Sequence, residues 1–175
     1  SLLEITTNEP PLISLPYLTG ERDSKMGPFA SGVLFGLRRH HSRIDIARGL
    51  LEGVAYSMRY IYEALKENDI KLSELRMGGG GAAWRPWPQM FADTLGIPLL
   101  VPSVQEVALV GNAIITYTAA GEYESLKSAC LAMVKSGERI EPNQERVDIH
   151  NERYEFFKKL RDTMSELYRE HSKLS

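Results

Sequence analysis

The run SELRMGGGGAAWRPWPQMFADTLGIPLLV, residues 73–101, constrains this chain more than any other stretch of it. A short strand-like piece carrying Leu75 and Met77 breaks into four consecutive glycines, Gly78, Gly79, Gly80 and Gly81, followed by Ala82 and Ala83. An amphipathic segment with Met90, Phe91 and Leu95 comes next and stops at Gly96, and a second strand-like run, Ile97 to Val101, begins at once. Strand, glycine turn, helix and strand in that order let a bulky anionic ligand lie against bare backbone. Glycine has no Cβ, tolerates φ > 0 and lets N–H groups come within bonding distance of a ligand. The helix that follows would present its positive N-terminal end to a phosphate. The competing reading is a tight turn with no ligand. Four glycines in a row cost roughly 0.5–1 kcal/mol each in chain entropy relative to alanine, which weighs against a plain turn.

Two familiar nucleotide loops can be compared with it. A Walker loop, G-x-x-x-x-G-K-[ST], is excluded because no Lys-Ser or Lys-Thr pair follows the glycines. Gly78, Gly80 and Ala83 do satisfy G-x-G-x-x-A. A dinucleotide site of that kind, however, wants an acid at the end of the next strand to hold a ribose hydroxyl. That strand ends at Val101, Pro102 and Ser103, and the first acid beyond it is Glu106. The match, sitting inside a glycine run, is weak.

The 175 residues leave room for one domain with a sizeable core, and 43% apolar and 25% charged residues are the proportions of a soluble globular protein. A net charge of −2 gives no electrostatic reason to expect nucleic acid or an anionic membrane as partner. Basic residues gather at Arg38, Arg39, His40, His41 and Arg43, but Asp45 follows and the run reads as a solvated loop. The single cysteine, Cys130, excludes an internal disulfide and fits a reducing cytoplasm. No apolar run approaches 18 residues, so neither a membrane span nor a signal peptide is expected.

Residues 8–36, rich in Pro and Gly, read as extended segments and turns. Ser42 and Asp45 resemble a capping box that opens a long helix running to about Asn68. Ile46, Leu50, Val54, Met58, Ile61 and Leu65 recur along it at three- and four-residue spacing, which predicts one apolar face. Glu106 to Ala120 reads as a helix of small and apolar residues ended by Gly121; its small residues suggest close approach to a backbone or ligand, or ordinary tight packing. Ser125 to Lys135 is a further helix, and Asp148 to His171 a last one with Ile149, Phe156, Leu160, Met164, Leu167 and Tyr168 on one face. The pattern is α/β, with five clear helices and few, short strands. An α/β domain should hold more sheet than this, and the expectation is part of a larger domain.

Three stretches carry a resemblance. LPYLTGER, Leu15 to Arg22, is followed by PFASGVLFGL; GVLFGLRRHHSRIDIARGLLE spans Gly32 to Glu52; and the glycine loop is followed by EVALVGNA, Glu106 to Ala113. Together they resemble the C-terminal domain of the FGGY carbohydrate kinases, which belong to the actin/hexokinase (ribonuclease H-like) superfamily. The first stretch is similar to the pentulose- and gluconate-kinase form. The second matches the Gly-x-aliphatic-x-Gly opening, Asp45, Ile46 and the closing Glu52, with Gly49 where Ala or Ser is usual. The resemblance runs from about Leu12 to the last helix, so residues 1–175 are expected to be that domain, incomplete and without its N-terminal sugar-binding half.

What the resemblance implies is the nucleotide-side portion of an ATP-dependent kinase acting on a small sugar, a pentulose such as xylulose or a sugar acid. Gly79, Gly80, Gly81 and Ala82 correspond to the adenosine motif, and Trp84 stands where the family usually has Ser or Asn. Trp can stack on adenine or cap the pocket but cannot accept a hydrogen bond from a ribose hydroxyl. ATP and Mg²⁺ are implied as substrate and cofactor, held mainly through elements outside this chain. The family's catalytic Asp lies in the N-terminal half, so no catalytic residue is assigned here and the isolated chain is expected to be inactive. Asp45 and Asp93 are read as cap and surface residues, and no metal site is assigned. The rival reading is a non-catalytic member of the superfamily that binds a ligand or partner. The implied partners are the sugar, ATP and the N-terminal domain, with no nucleic acid or membrane. Uncovered apolar faces predict a homodimer of the isolated chain.

Overall fold

The computed structural model describes residues 10–23, 26–104, 106–135 and 137–174, and among them are five strands and five α-helices. They are β1 (Ile13–Pro16), β2 (Gly32–Phe35), α1 (Arg43–Glu67), β3 (Leu75–Arg76), α2 (Pro86–Leu95), β4 (Leu99–Val101), α3 (Val107–Ala119), α4 (Leu126–Met133), β5 (Glu138–Ile140) and α5 (Gln144–His171). The architecture is α/β and helix-rich with short strands, as the sequence indicates. Of the extended region over 8–36, residues 8, 9, 24 and 25 lie outside the described ones. The chain divides into two compact units. One comprises residues up to 71 together with 93–96 and 143 onward; the other comprises 72–92 and 97–142.

In the first unit β1 and β2 pair antiparallel, Ile13 opposite Phe35 and Pro16 opposite Gly32. The capping box forms as read: Ser42 Oγ accepts from the Asp45 amide, and the Asp45 carboxylate accepts from the Ser42 amide at 2.8 Å. The face that α1 buries is not the predicted one. Leu50, Val54, Met58 and Ile61 remain 40–55% exposed, while Gly49, Glu52, Gly53, Ala55 and Tyr56 are buried. The reason is close approach of β1. Ser14 Oγ donates to the Gly49 carbonyl at 2.8 Å, and a Cβ at Gly53 would collide with Ser14. Small residues on α1 admit the strand where leucines could not.

The same rotation of the packed face occurs in α5. Leu160 and Tyr168 are buried as expected, but Phe156 and Leu167 are exposed, and Tyr154, Phe157 and Arg161 take the interior. The core gathers Ile13, Leu15, Tyr56, Tyr154, Phe157 and Tyr168. Several polar groups inside it are partnered, although Arg161 Nη1 has no hydrogen-bond partner among the described residues. Tyr168 donates to the Ser31 carbonyl at 2.7 Å, and Arg161 holds Tyr17 and Asp23 while lying 4.0 Å over the ring of Tyr60. Asp93, read as a surface residue, is fully buried: it accepts from the Asn143 amide at 2.8 Å and faces Arg146, which fixes the start of α5.

In the second unit β3 runs parallel to β4, and β5 pairs antiparallel on the other side of β4. Strand β5 was not legible in the sequence. Helix α4 opens on a capping box formed by Ser125 and Ser128. In α3, Ile114 is buried, whereas Leu109 and Ile115 are more than 60% exposed and a Cβ at Gly111 would meet open space. Gly111 therefore meets no close neighbour among the described residues. Cys130 carries a free, exposed thiol.

Candidate functional site

Where the parallel strands β3 and β4 end, the second unit forms a cavity of about 350 Å³. Gly78, Gly79, Ala82 and Ala83 line it from the β3 side, Val101 to Val104 from the β4 side, and Gly137 and Glu138 from β5. Carboxyl ends of neighbouring parallel strands are where ligands enter open α/β sheets. The backbone explains the glycines. Gly79 has φ 88° and ψ 177°, a region that is essentially glycine-only, and no atom lies within 4 Å of where its Cβ would stand. A side chain here would strain the turn and occupy the cavity mouth.

Beyond Gly79 the chain makes a 3₁₀ turn over Gly80–Ala83, with the Ala82 amide donating to the Gly79 carbonyl at 3.0 Å. Helix α2 starts only at Pro86. The order of strand, glycine turn and helix read from the sequence is kept, the turn being a short 3₁₀ element whose i and i+3 side chains eclipse and so suit small residues.

Of the five residues singled out in the sequence, Gly79 and Ala82 line the cavity. Gly80 and Gly81 form the outer part of the turn, with Gly81 set against the indole of Trp87. Trp84 closes the turn through its amide to the Gly81 carbonyl, is 44% exposed, and does not line the cavity. Gly78 and Ala83, read as part of the loop but not as contact residues, line the cavity too, and sequence reading missed Ser103, Gly137 and Glu138. Gly137 offered the best signal: a Cβ there would collide with the Val101 carbonyl, so β5 can lie flush on β4 only through a glycine. The exposed Arg85 guanidinium pairs with Glu138 at the cavity wall.

A second cavity, about 260 Å³, lies in the first unit among Leu12, His40, His41, Arg48, Glu52 and Arg153. Its charges are matched within the protein. Arg153 holds both oxygens of the buried Glu52 at 3.1 Å, and Arg48 faces Asp45 at 3.7 Å. Burial pushes the Glu52 carboxyl and the Tyr56 phenol up, and pulls His150, 2.9 Å from the Tyr56 hydroxyl, down to about 3. The Glu52–Arg153 and Tyr56–His150 contacts hold these groups in one arrangement. Among the described residues, no three His, Cys, Asp or Glu side chains gather closely enough to hold a metal ion, and no helix is long and apolar enough to cross a membrane.

Comparison with known proteins points the same way. A model of the FGGY family of carbohydrate kinases, C-terminal domain, matches residues 2–120. A xylulose kinase of Staphylococcus epidermidis is 28% identical over 146 residues, 83% of this chain and 29% of that protein. A glycerol kinase of Dechloromonas aromatica is 35% identical over 130 residues, 74% of this chain and 26% of that protein. The crystal structure of a xylulose kinase from Rhodospirillum rubrum superposes with a TM-score of 0.79 at 28% identity, over 96% of this chain and 33% of that one. The chain thus spans about a third or less of the proteins it resembles.

Proposed function

From the premise that this chain belongs to the FGGY family of carbohydrate kinases, as a C-terminal domain, we propose that it forms the nucleotide-binding portion of an ATP-dependent kinase. The acceptor is a hydroxyl of a small sugar, a pentulose such as xylulose or a sugar acid. The observation that carries this reading is the cavity at the ends of β3 and β4, entered past a residue whose backbone only glycine adopts. The form of Leu15 to Arg22 supports the sugar class.

Phosphoryl transfer needs the γ-phosphoryl in line with a hydroxyl, its charge neutralised, and a base at that hydroxyl. The two acids weighed for such a role do other work: Asp45 caps α1 and Asp93 anchors the start of α5. Neither lines the glycine-loop cavity. The base and the sugar site therefore come from an N-terminal partner domain, and the isolated chain transfers no phosphate. The described residues do not fit a Mg²⁺ cage, so no step is assigned to the metal through them. The exposed thiol of Cys130 supports a cytoplasmic setting, and the exposed apolar row of α1 supports a homodimer of the isolated chain.

Calorimetric titration with ATP tests the site. Ala83 is exposed and lines the cavity in ordinary turn geometry, so Ala83→Phe fills the space without straining the loop. ATP affinity should fall by more than about tenfold, about 1.4 kcal/mol, with the circular dichroism unchanged. Equal affinity in a folded variant would mean that the nucleotide does not lie in this cavity.

A further inference from the structure

Glu138 brings to the glycine-loop cavity the acid that the sequence did not show. An acid at the end of the strand after a glycine loop would have to follow Val101, and none does before Glu106. In the fold one arrives sideways, from β5. Glu138 is the cross-strand partner of Val101, and Gly137 before it lies flush on the Val101 carbonyl, which fixes the height at which the Glu138 side chain meets the cavity. Arg85 pairs with its Oε1 and steadies it. Among the described residues that line the cavity, Glu138 and Ser103 alone carry polar side chains; the rest are Gly, Ala, Val and Pro.

This lining is chemically two-sided. A carboxylate disfavours a phosphate beside it, because like charges repel. The same carboxylate is an acceptor for neighbouring hydroxyls, and a serine hydroxyl can donate or accept. The opposite wall, Gly78, Gly79 and Ala82, offers backbone without charge. On the nucleotide reading above, we infer that the ribose of the bound nucleotide lies toward Glu138 and Ser103. Its phosphates lie toward the glycine turn, and Glu138 accepts hydrogen bonds from the 2′- and 3′-hydroxyls. Glu138 is then a specificity residue that selects ribonucleotides over deoxynucleotides, and Arg85 is a positioning residue that holds it.

The test titrates the unmodified chain with ATP, 2′-deoxy-ATP and 2′,3′-dideoxy-ATP by calorimetry, and repeats the series on Glu138→Ala. The expected result is that the dideoxy nucleotide binds at least about tenfold more weakly than ATP, with the monodeoxy form between them. Glu138→Ala should lose about the same factor for ATP and bind all three alike. If the unmodified chain binds ATP and the dideoxy nucleotide equally, the ribose is not read here and the inference falls while nucleotide binding stands. Tighter binding of ATP to Glu138→Ala would place phosphates beside the carboxylate and overturn it equally. If none of the three binds the unmodified chain, the cavity does not hold the nucleotide by itself and this inference falls. Should the variant not fold, the comparison of the three nucleotides on the unmodified chain decides.

Discussion

Tyr56, Tyr154, Phe157 and Tyr168 fill the interior of the unit built on β1, β2, α1 and α5, each of them nearly or wholly without exposure. In the other unit α3 buries Ile114 alone among its described residues, and a three-stranded sheet of two- and three-residue strands ends in bare glycine backbone. Aromatic side chains bury the largest areas and pack with geometric preference, so the first unit has one well-determined arrangement. Few buried apolar contacts and open backbone mark a segment of low local stability, the kind from which binding loops are drawn. The contrast places stability in the first unit and, on the proposed function, ligand binding in the second. Removing a buried side chain from one should unfold it; changing the other should alter what it binds.

The largest expected effect follows from that assignment. Phe157→Ala leaves a cavity beside Tyr56 and Tyr154 and should lower the unfolding free energy by about 3–5 kcal/mol, measured by urea titration. Glu52→Ala leaves the Arg153 guanidinium buried without its carboxylate, at a similar cost of about 3–5 kcal/mol. Changes below about 1 kcal/mol in both would break the comparison.

Acid sharpens it next. His150 has its folded-state pKa lowered to about 3, first by burial and then by Arg153, Arg59 and Arg146, so the folded protein keeps it neutral. An unfolded histidine takes up a proton near pH 6.5. His150's contribution is therefore intact above about pH 6.5 and is lost as pH falls, because the unfolded chain binds the proton first. At pH 5 the loss should be about 2 kcal/mol. Comparing the pH dependence of unfolding with that of His150→Gln checks it: the variant should lack this part of the slope, and identical slopes would refute the assignment.

Gly137→Ala probes the second unit where its backbones touch. The methyl would collide with the Val101 carbonyl and push β5 off β4. The expected destabilisation is about 1–3 kcal/mol, with weaker ATP binding because Glu138 moves with the strand. A folded variant with unchanged affinity would detach β5 from the site. Smallest of all, Leu109→Ala and Ile115→Ala on exposed α3 should change stability by no more than about 0.5 kcal/mol. Light scattering completes the series: the isolated chain should self-associate through the exposed Leu50, Val54, Met58 and Ile61, and Leu50→Glu with Ile61→Glu should leave a monomer. Self-association that survives both changes would locate the contact elsewhere.

Helix positions were legible because capping residues and periodicity are local: Ser42, Asp45, Gly96 and Gly121 mark ends that the structure keeps. Which side of each helix packs was not. The periodic row on α1 follows its long apolar side chains, but the face that meets β1 is chosen by Gly49 and Gly53, whose lack of side chain admits the strand. Arg161 on α5 is hidden from a hydrophobic pattern for a related reason, since a buried arginine whose partners Tyr17 and Asp23 lie in the connection between β1 and β2 is a tertiary fact. The same divide runs through the site. Gly79 and Ala82 were readable from the glycine run, whereas Glu138 reaches the cavity only through the β4–β5 register. Trp84, which the resemblance places beside the nucleotide, closes the turn through its amide and does not line the cavity.

Hydrogen exchange with and without saturating ATP tests the division between the units most directly. The amides of Met77–Ala83 and Val101–Val104 should exchange more slowly with ATP present, while those of β1, α1 and α5 keep their rates. No change at the glycine turn, or protection confined to the cavity around His40, Arg48 and Glu52, would contradict it.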